Sequence, residues 1–89
     1  MQIRFAVHDH EGRTEAGVMT LASPSAGRGV LDRLRPHRTL RPANAGATPH
    51  GSAELVARDG AVLETIEVPA EVIQTLVFAL SRLGQVQRP

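Results

Sequence analysis

Cysteine, lysine, tryptophan and tyrosine are all missing from these 89 residues, and the only aromatic rings besides histidine are Phe5 and Phe78. Without cysteine there are no disulfides, no thiolate zinc sites and no thiol nucleophile. Without tyrosine or tryptophan, the stacking platforms on which single-stranded nucleic acids are usually held are missing too. No apolar run approaches the ~18 residues of a membrane span, and Met1-Gln2-Ile3-Arg4-Phe5 lacks the basic-then-apolar build of a secretory signal. A soluble, cytoplasmic chain is the expectation, with no membrane contact and no cofactor.

What is present is enough for one domain, since a second core would need more chain. A domain this small buries only about 60% of its unfolded surface, so a thin stability margin and a gain from pairing are expected. All ten basic side chains are arginine, which points first to a GC-rich genome. Their distribution is uneven. Residues 1–45 carry seven Arg against four carboxylates, a net +3, and residues 46–89 carry three against five, a net −2. Opposite-signed halves attract each other within a fold or across a dimer, and they also recruit outside partners.

In the first part, residues 1–35, Ile3, Phe5 and Val7 alternate with Gln2, Arg4 and Ala6, the period of a strand with one buried face. Asp9 through Gly12 reads as a turn and Arg13 to Ala22 as the returning strand. That register sets His8 against Arg13 and predicts the pairs Val7/Thr14, Phe5/Ala16 and Ile3/Val18, leaving Met19 and Leu21 on the other face. Ser23-Pro24 suits a helix start, although Gly27 and Gly29 weaken it enough to delay the helix to Arg28. Pro36 ends it, and residues 36–50 read as a long Pro/Gly/Arg loop.

The second part, residues 51–87, reads as a hairpin turned at Asp59-Gly60 and an amphipathic helix. A two-residue turn pairs Arg58 with Ala61 and predicts Val56/Leu63 and Glu54/Thr65 on the outer face. It puts Ala57/Val62, Leu55/Glu64, Ala53/Ile66 and Val68 on the core face. Pro69 falls in the first turn of the helix, and Val72, Ile73, Leu76, Val77, Ala79, Leu80 and Leu83 share one arc. Gly84 stops it. The whole is an α+β chain in ββαββα order, a four-stranded, mainly antiparallel sheet with two helices on one face.

Three clusters carry possible chemistry. His8 and His10 lie two apart beside Asp9 and Glu11, a spacing that suits a metal on a strand but is broken here because His10 falls in the turn. Arg28, Arg33, Arg35, Arg38 and Arg41 form a basic patch whose guanidinium forks suit phosphates. Phe78 falls on the polar side of the helical wheel, and with Arg82 and the outer pair Val56 and Leu63 it marks a protein interface. Catalysis is not expected. The serines Ser23, Ser25, Ser52 and Ser81 lack a nucleophile-elbow context, and His50-Gly51-Ser52 is only the nearest approach to a Ser/His arrangement.

Residues 64–80, from Glu64 through Pro69 to Leu80, resemble segments that precede the DNA-binding domain in some excisionase-type antitoxins. The likeness is one of strand-plus-helix grammar over about a fifth of the chain, and it implies a small regulatory protein. The expected function is therefore a non-catalytic interaction module, self-associating as a homodimer, that regulates or inhibits another protein as an antitoxin-like or phage-type inhibitor does. The alternatives are a nucleic-acid-binding accessory protein using the basic patch and a metal-binding protein using His8 and His10.

Overall fold

The N-terminal alternation becomes β1 (Gln2–Asp9), which turns through His10 and Glu11 into β2 (Gly12–Thr20). Asp9 closes the turn by accepting the Glu11 amide on Oδ1 at 2.8 Å, and Gly12 supplies φ +117°. The computed structural model describes residues 1–38 and 49–88. Next to the turn the ladder pairs His8 with Arg13 and Val7 with Thr14, as expected. Further along, Ala16 is an extra residue on β2, so Phe5 pairs with Gly17 and Ile3 with Met19 in place of Ala16 and Val18. The bulge has a physical reason. It swings Met19, and Leu21 after it, onto the face that packs against the core.

β3 (His50–Val56) and β4 (Val62–Val68) form the second hairpin. Its loop has three residues between Ala57 and Ala61, not two. The Gly60 amide donates to the Ala57 carbonyl at 3.0 Å, the Ala57 amide to the Ala61 carbonyl at 2.8 Å, and Gly60 adopts φ +91°. An extra residue on β4, Leu63, offsets the longer loop and restores the count. Val56 then pairs with Val62 in place of Leu63, while Leu55/Glu64, Glu54/Thr65 and Ala53/Ile66 stand as expected. Val62 is thereby moved off the core face.

Helix α1 (Pro24–Leu34) begins at the Ser23 cap, whose Oγ accepts the Ala26 amide at 3.3 Å, so Gly27 and Gly29 lie inside it. Gly27 is tolerated because the helix lies close on the sheet there. A Cβ at Gly27 would meet Leu55 Cδ1 at 2.5 Å. A 3₁₀ turn (Arg35–His37) follows; the interior of the expected 36–50 loop lies outside the described residues. Helix α2 (Ala70–Arg82) starts after Pro69, which occupies the cap position, and ends with Gly84 at φ +75°. The Gly84 and Gln85 amides donate to the Ser81 and Leu80 carbonyls, the paired bonds of a Schellman stop. None of the helices among the described residues is long and apolar enough to cross a membrane.

The strands form one antiparallel sheet in the order β2-β1-β3-β4. Both helices lie on the same face of it. The core between the layers is built on Ile3, Phe5, Leu31, Leu55, Val68 and Ile73, all fully buried. At Gly51 the sheet and α2 approach so closely that a Cβ would run into the Ile73 side chain and come within 3.3 Å of the Pro69 carbonyl. The chain leaving α2 returns to β2, where Val18 and Gln87 exchange backbone hydrogen bonds at 3.0 and 2.9 Å and Val86 is buried over Gly17. The sequence pattern did not anticipate that added bridge.

Gly51 and Gly29 make a contrasting pair. Gly51→Ala overpacks the interface with α2 and is expected to cost about 1–3 kcal/mol. Gly29→Ala, on an exposed helix position with nothing within 4 Å of a new Cβ, is expected to stabilise by about 0.5–1 kcal/mol. Thermal melts of the two variants test both signs.

Candidate functional site

Two surfaces emerge from this architecture. The first is the sheet face that carries no helix, where residue parity collects the side chains that alternate away from the core. Along it β1 contributes Gln2, Arg4, Ala6 and His8, and β3 contributes Val56, Glu54, Ser52 and His50 as their direct partners. His8 and His50, a cross-strand pair, stack with ring centroids 4.7 Å apart and planes 8° from parallel. His8 Nε2 lies 2.9 Å from Ser52 Oγ, and His50 Nε2 lies 3.7 Å from Glu67 Oε1. Arg13 of β2 spans the strand between to reach Glu54 at 3.0 Å.

Chemically this is a row of matched polar groups. Ser52 is brought to His8, not to its sequence neighbour His50, and only 3% of its surface is exposed. A serine set that deep in the sheet holds a ring in place and offers little access to a substrate carbonyl. His8 and His10 part company, since His8 joins the sheet face while His10 sits at the exposed hairpin tip, 3.8 Å from Glu11. Among the described residues no three His, Asp or Glu side chains converge as metal ligands.

The second surface is on the helix layer. Ile73 and Val77 of α2 are buried against the sheet, with Leu80 half-buried beside them. Val72, Leu76, Ala79 and Leu83 run along the adjoining side, where a groove of about 510 Å³ separates α2 from Leu34 and His37. Leu83 is 71% exposed and Phe78 55%. The Phe78 ring has the Arg82 guanidinium 5.8 Å from its centroid, and it borders a hollow floored by Val7 and Val77 beside the first hairpin.

The expected interface residues therefore divide. Phe78 and Arg82 come together on α2 as an exposed pair. Val56 is not an exposed apolar residue. It is only 3% exposed, lying on the helix-free face between its ladder partners Gln2 and Val62. Leu63, the bulge residue, remains 49% exposed at the sheet edge, away from Val56 in the ladder.

The basic patch is also thinned. Arg35 is bound to Asp32 and to Glu64, both at 2.6 Å, and those two carboxylates raise its pKa above the ordinary arginine value. Arg28, Arg33 and Arg38 are exposed, and Arg41 lies outside the described residues. The link of His8 to His50 and Ser52 escaped the sequence reading because His8 lies more than forty positions before them, and only the β1/β3 register unites them. The available signal was parity, since each alternates with core-facing neighbours. Comparison with family models, with curated proteins and with solved structures finds no match to this chain.

Ser52→Ala removes the 2.9 Å bond to His8 Nε2 and is expected to lower stability by about 1 kcal/mol. Urea denaturation measures it; an unchanged midpoint would show that the bond contributes nothing in solution.

Proposed function

We propose that the chain is a small non-catalytic interaction module that self-associates and regulates or inhibits another protein by occupying one of its surfaces. The observation that carries this reading is the bare apolar side of α2. Isolated exposed apolar residues are ordinary on a protein surface. Here exposed Ala79 and Leu83 continue a stripe whose Val72 and Leu76 are half-buried against the core, beside an exposed aromatic ring, a composition closer to an interface than to a solvated helix. The helix-free face supports the reading by contrast, because its ion pairs and stacked rings satisfy one another across the strands.

Nucleic-acid contact is the second reading, supported by Arg28, Arg33 and Arg38, which have no carboxylate partner among the described residues. With Arg35 occupied, the charge left for a phosphate backbone is small. On the interaction reading, gel shifts with random duplex and single-stranded probes show no salt-dependent binding; a strong shift at low salt reverses the order of the two.

The self-association is tested by light scattering over a concentration series. Wild type is expected at twice the 9.5 kDa monomer mass. Phe78→Ala and Leu83→Gln, on exposed positions that leave the core intact, are expected to move toward the monomer mass. A monomeric wild type at the highest attainable concentration would retire the homodimer.

A further inference from the structure

We infer that the occupant of the α2 stripe is a second copy of this chain, the two α2 helices lying antiparallel about a two-fold axis near Val77 and Phe78. This rests on the self-associating reading above and names its surface. The apolar positions Val72, Leu76, Ala79 and Leu83 are spaced four, three and four apart, the seam along which two helices interdigitate. Antiparallel pairing about that axis sets Val72 against the partner's Leu83 and Leu76 against the partner's Ala79. Each large side chain of the central layer then meets a small one.

Charge selects the orientation. Glu71 stands in the first turn of α2 and Arg82 in the last, on the same flank of the stripe at 100° per residue and about 16 Å apart along the axis. Neither has an ion-pair partner in its own protomer among the described residues; Arg82 meets only the Phe78 ring. An antiparallel two-fold brings Glu71 of each copy within side-chain reach of the partner's Arg82, and symmetry makes the pair twice. Parallel helices would set each Glu71 level with the partner's Glu71 on opposite flanks of the seam and far from either Arg82, so neither charge would gain a partner. The surface complementary to an apolar seam with an acidic start and a basic end is the same seam reversed, which is why a second copy fits it.

Sedimentation equilibrium at low ionic strength tests this with three variants, each first confirmed folded by circular dichroism. Glu71→Arg alone and Arg82→Glu alone each set like charges together at both ends and are expected to weaken the dimer roughly tenfold or more. The double variant is expected to pair as wild type does. Mixing the two single variants sets two basic positions against two acidic ones and is expected to give a heterodimer tighter than either homodimer. A dimer indifferent to all three variants, or singles that stay weak when mixed, overturns the antiparallel α2 contact and leaves self-association to another surface. A wild type that is monomeric throughout overturns both.

Discussion

Everything in this fold depends on the antiparallel ladder between β1 and β3. Two hairpins that each close over a short loop are marginal on their own, and seven residue pairs from Gln2/Val56 to His8/His50 join them into one sheet. The partners are far apart in sequence. Closing a long connection costs entropy that grows only with the logarithm of its length, so the ladder and the packing above it can repay it. The helices make the join mutual. Helix α1 leaves the first hairpin and lies over β3 and β4, and α2 leaves the second and reaches back across β3 and β1 to β2. Neither half holds a complete core. Gly27 and Gly51 mark where each helix comes down on β3.

The same ladder decides what the helix-free face can be. In a β-pair, directly opposed residues share a side, so once His8 stands opposite His50 the row around them follows. Ser52 lies one step along β3, and Glu67 is its partner across β4. On that face Ala6, Ser52 and Val56 are already covered and the polar groups are matched in pairs, so among the described residues the exposed apolar surface is confined to Val62 at its β4 side. Val56 belongs to this side too, between Gln2 and Val62.

The element order, the sheet with its two helices on one face, the stop at Gly84 and both turn positions were legible in the sequence, because alternation, Asp59-Gly60 and Gly84 are local signals. Gly27 and Gly29 obscured the start at Ser23-Pro24, and Pro69 is the cap and not a first-turn residue. The registers were legible only in part. In the first hairpin His8/Arg13 and Val7/Thr14 could be counted from the turn, but Ala16 breaks the count, and the clue was the misfit of Met19 and Leu21. In the second, the pairs away from the turn hold, while the bulge at Leu63 displaces those beside it. An interface drawn through Val56 and Leu63 assumed the regular count. Pairing between the hairpins leaves no local trace, so the stacked histidines and the Val18/Gln87 bridge were out of reach, whereas Phe78 and Arg82 were visible from the helical wheel alone.

What keeps α2 partly bare is the geometry of two helices on four strands. Its apolar arc is wider than the strip one sheet face can cover, so with Ile73 and Val77 seated and Leu80, Val72 and Leu76 half-buried beside them, Ala79 and Leu83 are left exposed. The natural cover would be α1. That helix is held elsewhere, with Leu31 in the core over β3 and Arg35 bound to Glu64 on β4. One ion pair therefore has two effects. It withdraws Arg35 from the basic patch, and it adds to the packing of Leu31 and Leu34 that fixes the end of α1, whose Leu34 and His37 form the far wall of the groove beside α2. Charge on the first helix and the half-open apolar side of the second are linked through that contact, and the proposed protein-partner reading rests on that apolar side.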